Sequence, residues 1–582
     1  MQKHARLCAA LYALANVPAA GAEEEPVVLE PITVTATPLE AEAGHIAQPV
    51  EVLTGEELAR KQGLTIGETL AREPGISASD FGQGASRPII RGLGGSRVRI
   101  LEGGIGSMDV SNLSPDHAVA IDPLHARQIE ILKGPATLLY GSGAIGGIVN
   151  IVTDRIPTEV PDAPHAEAEL RYDAATNERT GGGKLDAGIG GNLALHFDGL
   201  KRRTSDYDIP GFGSIEPQPG EKPGELFNSD VDTENEAGGA SYIGDRGGVL
   251  GVQVRHQDFE ATGEEALTPP VGGRSVGVFW FEDRDWDLWH FEAGARYENA
   301  RYDADEGSPD VEHDIYSVSA GAVRSFGEDY SAGISVTRAQ RAPSLEELYN
   351  DGPHLATGTF ERGDTALDPE TANNLDLTLR KSEGRWTWRV SAFANLIEDF
   401  IFADSVDANG DGVADRVDEE GNPVPDGDLL SLAFVQDDAI FYGAEAETVF
   451  EIFEGTSYGE LDARIFADYV RGKLTDGDDL PRITPPRVGG GLDYRLGAWS
   501  GDFEVMRVAK QTDNAALETA TDGYTQVDLG VSYTFGTKPA DLTLALRGTN
   551  LLDEEERRHT SFLKDIAPLP GRSVLLTVRT SF

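Results

Sequence analysis

Asp116 and His117 are adjacent in this 582-residue chain, and a carboxylate beside an imidazole suits a borderline cation such as zinc. Two neighbouring ligands cannot complete a tetrahedral site. Other parts of the chain must supply the rest, and Glu347 and His354 are the candidates for that role. The plainer alternative is that Asp116 makes a turn and His117 is solvated. The pair by itself leaves both readings open.

A second constellation is independent of the first. The run Asp407-Ala408-Asn409-Gly410-Asp411-Gly412, with Val413, Asp415 and Asp418 after it, fits a calcium loop. Oxygen ligands fall at its first, third and fifth positions, a glycine at the sixth, the Val413 carbonyl at the seventh and an acid at the end. Asp418 in place of glutamate shortens the reach of that last ligand. An acidic solvated turn fits the same residues, and no flanking helices frame them.

Other motifs carry less. The crowded glycines Gly141, Gly143, Gly146 and Gly147 lack the Lys-Ser/Thr pair of a phosphate loop and precede a strand, so they read as a turn. His559 follows the acidic turn Asp553-Glu554-Glu555-Glu556 and reads as ordering a late loop. His196 reads as polar lining. No nucleophile–base arrangement emerges, so the chain is not expected to be an enzyme.

These residues need a scaffold, and composition restricts it. Lys+Arg number 49 against 99 Asp+Glu, a net charge of −50 that argues against nucleic-acid binding and accords with a cationic ligand or with solvated acidic loops. Mean hydropathy is −0.31. No stretch after Ala22 approaches the roughly 18 apolar residues of a membrane-spanning helix. A closed barrel is the other structure that crosses a bilayer, and its polar lumen keeps mean hydropathy low.

The chain divides by pattern. Residues 1–22 read as a secretory signal peptide: Lys3 and Arg6, an apolar stretch, then Ala20-Gly21-Ala22. The single cysteine, Cys8, lies inside it, so the mature protein is expected to have no disulfide. Residues 23–44 are acidic and read as a flexible tail holding the β-prone run Pro31-Ile32-Thr33-Val34-Thr35-Ala36, which suits addition to a partner's sheet edge. Residues 45–161 read as a compact α+β domain, with capping boxes expected at Thr54/Glu57 and Thr65/Glu68.

From 165 to 582 the texture is strands of roughly ten residues with period-2 alternation. Leu375, Leu377 and Leu379 alternate with Asn374, Asp376, Thr378 and Arg380. Val574, Leu576, Val578, Thr580 and Phe582 share one face. The count is about 18 strands, an even number as single-chain barrels have.

Longer motifs now carry a resemblance. Pro31 to Ala36 is similar to a TonB box. Arg87-Pro88-Ile89-Ile90-Arg91-Gly92 with Arg97-Val98-Arg99-Ile100-Leu101-Glu102-Gly103 resembles a first plug signature. Ile129-Glu130-Ile131-Leu132-Lys133-Gly134-Pro135 with Leu139-Tyr140-Gly141 and Gly146-Gly147-Ile148-Val149-Asn150-Ile151 resembles a second. The mature chain resembles the TonB-dependent outer-membrane receptors. That implies an all-β transmembrane barrel, 22-stranded in the family, around an N-terminal α+β plug. It also implies a Gram-negative outer-membrane location amid lipid and a TonB protein as periplasmic partner.

Finer features resemble the zinc-uptake branch: Asp109-Val110-Ser111-Asn112-Leu113-Ser114-Pro115-Asp116-His117-Ala118-Val119, Arg341-Ala342-Pro343 with Glu346-Glu347-Leu348-Tyr349, Gly352-Pro353-His354-Leu355-Ala356-Thr357, and His559-Thr560-Ser561-Phe562-Leu563-Lys564-Asp565. The resemblance implies active import of a metal ion, zinc first, with no cofactor required and calcium only as a structural ion. Relatives usually carry further strands and a His-rich loop after the position of residue 248, where this chain runs on at once. A haem or siderophore receptor of the same fold is the alternative, with His354 as haem ligand between Arg341-Ala342-Pro343 and Gly363-Asp364-Thr365-Ala366-Leu367. The box-like run and plug motifs speak against a passive porin. The short stretch before Pro31 speaks against a signalling domain.

Overall fold

The computed structural model describes residues 46–242, 253–259 and 267–582, apart from residues 108, 113, 156, 158–159, 191, 218, 305–306, 328, 425–426, 517 and 538–539. It also describes the short strands Thr33–Val34 and Ala41–Glu42, which pair with each other. Residues 1–22, the junction at 248 and Pro31, Ile32, Thr35 and Ala36 lie outside the described residues.

Twenty-one strands of the described residues enter one closed sheet. Asp351–His354, Thr359–Arg362 and Arg416–Val417 are short strands of loops, which leaves 18 in the wall. Strand His165–Asp173 pairs antiparallel with Ser573–Ser581 and closes the wall. The Ala166 and Phe582 backbones exchange hydrogen bonds of 2.9 and 3.3 Å at that seam. Closure leaves no unpaired edge, which a strand facing lipid cannot tolerate.

The alternation in the sequence sorts side chains between lipid and lumen. Leu375, Leu377 and Leu379 are 39%, 47% and 52% exposed, while Asn374, Asp376 and Thr378 between them are 4%, 0% and 1%. Apolar residues therefore face outward and polar residues inward, the reverse of a soluble protein. Aromatic pairs such as Trp499–Tyr533, with ring centroids 4.7 Å apart, stand near the end where turns are short. The opposite end carries the long connections, including 204–231, 342–369, 406–428 and 550–572.

The plug fills the lumen. Its five-stranded sheet runs in the order Val50–Thr54, Gln128–Lys133, Gly147–Val152, Val98–Glu102, Ile105–Gly106. Helices Gly55–Lys61 and Ile66–Leu70 pack on it through Leu58, Ile66 and Leu70, against Ile129, Ile131 and Val149. Burying each such side chain is worth about 1.5–3 kcal/mol. At Thr65 the hydroxyl accepts from Glu68 N at 3.1 Å, which satisfies an amide of the first turn. Thr54 does not cap its helix. It ends a sheet strand, and its hydroxyl donates to the Arg127 carbonyl at 3.3 Å. The glycine run forms a tight turn. Gly147 has φ +143, and a Cβ there would lie 2.5 Å from Leu132 O.

Plug and wall are joined by buried ion pairs. Arg91 reaches Asp376 at 2.6 Å and Glu445 at 2.7 Å, and Lys133 reaches Glu445 at 3.0 Å. Each charge has a partner, so removing one partner strands the other.

Candidate metal site at the plug apex

His354 is the centre of the candidate site. It ends the short strand Asp351–His354 in the connection 342–369, which pairs antiparallel with Thr359–Arg362. In that register His354 lies opposite Thr359, and Glu361 follows two residues later on the same face. His354 Nδ1 is 3.0 Å from Glu361 Oε1. Its Nε2 is 3.4 Å from Asp116 Oδ1 and 3.1 Å from Ser114 Oγ, both on the plug loop. The residue is buried, 8% exposed.

Electrostatics follow from that placement. Burial pulls the His354 pKa down, but hydrogen bonds to Asp116 and Glu361 outweigh it and push it up to about 9. Burial pushes Asp116 up, but hydrogen bonds from His354 and Ser114 hold its carboxyl well below the usual range.

His117 is close but turned aside. Its Nε2 is 3.9 Å from Asp116 Oδ2, and its Nδ1 faces the Val110 carbonyl at 3.2 Å.

Glu347 does not join the group. Arg341 holds its two carboxylate oxygens at 2.9 and 3.0 Å, and one of them accepts from Ser344 N at 2.7 Å. It completes a capping box on helix Leu345–Tyr349, so its charge is spent on the loop's own structure. Glu361 takes its place, a residue the sequence analysis missed. The signal for it was the hairpin register around His354.

The neighbouring Glu346 is also informative. It is buried, its Oε1 has no hydrogen-bond partner, and burial pushes it up to about 8. It lines a cavity of about 270 Å3 together with Ser114, Glu361, Arg87 and Arg482. No group of three or more His, Cys, Asp or Glu side chains among the described residues forms a ready cage for an ion. The apex group is therefore an ion-paired cluster that must rearrange to take a metal.

The calcium-like run is an exposed loop between strands. Asp407 accepts the amides of Gly410, Asp411 and Gly412 at 2.7, 3.2 and 2.9 Å. Asn409 accepts from Asp411 N and Asp411 from Val413 N, each at 2.9 Å, and Asp415 accepts from Ala408 N at 2.9 Å. Asp418 departs from the expected set. Both its oxygens face Asn422, which holds it in a separate turn. His559 is buried with Nδ1 3.0 Å from Thr521 Oγ1 and Nε2 3.3 Å from Glu518, joining the connections 509–524 and 550–572.

A plug held in a closed barrel, with a polar cluster where plug apex and long connections meet, is the arrangement on which the comparisons bear. Residues 43–148 match the family model described as TonB-dependent Receptor Plug Domain, and residues 140–551 match TonB dependent receptor-like, beta-barrel. The chain belongs to the TonB-dependent receptor family.

The receptor is thus a transporter of the Gram-negative outer membrane and not an enzyme. The short-turn end of its wall faces the periplasm and the long connections face outside. Its fold is similar to that of the structure titled Copper transporter OprC, with TM-score 0.66 at 17% identity over 92% of this chain and 98% of that one. The FrpB iron transporter from Neisseria meningitidis gives 0.69 at 14% identity over 92% and 99%. The siderophore receptor PirA from Acinetobacter baumannii gives 0.62 at 14% over 92% and 98%. At these identities the likeness is one of fold.

Proposed function

We propose that the receptor actively imports a divalent metal ion, with zinc as the cargo, and that Asp116 and His354 capture it. The observation that carries this reading is the 3.4 Å approach of His354, from an external connection, to Asp116 on the plug. A metal held by both would couple capture to closure of the connection over the plug. Glu361 fixes the imidazole through Nδ1, as carboxylates do behind metal-bound histidines, and leaves Nε2 for the ion. His117 is near enough to join by rotation. The donors are nitrogen and oxygen, with no thiolate, which suits zinc or another divalent ion of its kind better than Cu(I). The ion displaces the proton that His354 carries at neutral pH.

The haem alternative fits less well. His354 is buried and both its nitrogens face carboxylates, so no open axial position remains for haem iron. In the proposed cycle TonB captures Pro31 to Ala36 by strand addition, the plug rearranges and the ion leaves to the periplasm. Zinc titration and uptake by the Asp116→Ala/His354→Ala variant test the reading. Binding should fall sharply with the barrel still assembled, and affinity equal to wild type would remove the site.

Calcium is the second proposed ion, at Asp407, Asn409, Asp411, Asp415 and the Val413 carbonyl. Asp407 gathers three amides into a tight turn at Gly410 and Gly412, as the sharp turn of a calcium loop requires. Its role would be structural.

A further inference from the structure

A second set of histidines and carboxylates lies far from the apex. His196 stands on wall strand Leu193–Arg203, directly opposite Asp186 on Arg179–Ile189. Its Nδ1 is 2.6 Å from Asp186 Oδ1 and its Nε2 is 2.9 Å from Asp198 Oδ2. The other oxygen of Asp198 is 3.6 Å from Nε2 of His125, which belongs to the plug turn Pro123–His125. Two histidines, one from the plug and one from the wall, therefore converge on one carboxylate.

Three features set this cluster apart from ordinary lumen lining. His125 is 9% exposed, and its Nε2 has no hydrogen-bond partner. A buried ring nitrogen left unmatched is costly unless something binds it. Next, His125 lines a cavity of about 400 Å3 between plug and wall. That cavity also touches Lys184, Ser532, Thr534 and Arg579, toward the short-turn, periplasmic end. Last, a cation already occupies Asp198. Arg155 donates to its two oxygens at 2.8 Å each. The same guanidinium reaches Glu102 at 3.1 Å and Asn235 at 2.6 Å, so it has other partners if it leaves Asp198.

We propose that His125, His196 and Asp198, with Asp186 orienting the His196 ring, form a second, interior site for a divalent transition-metal ion at the plug–wall interface, on the periplasmic side of the capture site. This deepens the proposed function and rests on its metal-cargo reading. Two imidazoles and the Asp198 carboxylate supply three of the roughly four N/O donors such an ion takes, and water fills the last, while Asp186 holds the His196 ring through Nδ1. With Arg155 in place no ready cage exists among these side chains, in keeping with the described residues as a whole. The ion forms the cage by displacing Arg155 from Asp198, and Arg155 shifts onto Glu102 and Asn235. Arg155 lies between the last plug strand, Gly147–Val152, and the first wall strand, so filling the site exchanges the Arg155–Asp198 ion pair for a plug–wall link through the ion itself.

The experiment is zinc stoichiometry by equilibrium dialysis on the purified full-length receptor, with heat-modifiable migration as the folding control and zinc uptake alongside. Wild type should bind an apex ion and an interior ion. His125→Ala should lose one and keep the apex ion, while Asp116→Ala/His354→Ala should lose the other. Arg155→Gln should tighten the interior site several-fold, since nothing then competes for Asp198. His125→Ala suits the test because its Nε2 makes no hydrogen bond to lose; the His125→Ala/His196→Gln pair is secondary. Unchanged stoichiometry and uptake in His125→Ala would overturn the interior site and leave the apex reading standing. Weaker zinc binding in Arg155→Gln would overturn the displacement step. No zinc bound by wild type would overturn both sites together.

Discussion

Glu361 Oε1 lies 3.0 Å from His354 Nδ1, so a wall-side carboxylate decides which nitrogen of the histidine is left to face the plug. Outer carboxylates of this kind orient a metal-binding imidazole and raise its basicity. Replacing Glu361 with Gln should therefore weaken zinc binding by about 10–100-fold while the barrel assembles normally. Zinc titration of that variant checks it, and wild-type affinity would mean that Glu361 has no part in orienting the ring.

Glu347 should behave in the opposite way. Its bonds go to Arg341 and to the Ser344 amide, both within its own connection. Glu347→Ala leaves Arg341 with Glu370 at 2.7 Å and costs about 1–3 kcal/mol through the unmet buried donors. Denaturant titration should show the loss, and zinc affinity of the folded fraction should stay near wild type.

The connection 509–524 should loosen in acid. Burial pushes Glu518 up, but hydrogen bonds from His559 and Lys564 outweigh it and hold the carboxyl down to about 2, against 4.5 ordinarily. A depressed carboxyl stabilises the folded loop fully above its unfolded pKa. That contribution fades as pH falls from about 4.5 through about 2. Pepsin should cut wild type within 509–524 increasingly across that window and cut Glu518→Gln throughout it.

Calcium should protect the loop around Asp407 from protease, and Asp407→Ala/Asp411→Ala should abolish that protection. A wild-type digestion rate indifferent to calcium would make the loop a solvated turn, held by its own Asp–amide bonds.

Deleting residues 32–36 should eliminate zinc uptake and leave zinc binding unchanged. The run precedes residues 43–148, which match the plug model, so on the proposed coupling role its loss removes the handle for TonB and spares the binding site. Continued uptake in cells carrying the deletion would show that coupling uses another segment.

The sequence by itself determined the architecture. Period-2 alternation such as Leu375, Leu377 and Leu379 against Asn374, Asp376 and Thr378 encodes a sheet with one face for lipid and one for the lumen. Such alternation is local, so it can be read without knowing what pairs with what. The even count of about 18 was legible for the same reason, and the described wall has 18 strands. Helix capping was legible at Thr65 but not at Thr54, because a strand hydrogen bond claims that hydroxyl.

The site was legible only in part. Asp116 and His354 have side chains able to bind a metal, and they became candidates only together with the likeness of their segments to the zinc-uptake branch. Which acid stands beside His354 depended on hairpin register, which turns Glu361 toward the ring. Glu347 and Glu346 are chemically identical neighbours, and only the fold sends one to Arg341 and leaves the other with an unpartnered oxygen at a cavity. His196 read as polar lining because its second histidine, His125, is remote in sequence and comes from the other domain. Contacts between plug and wall join residues far apart along the chain. Side-chain chemistry is written in each residue, but the meeting of two distant residues is fixed only when the wall closes around the plug.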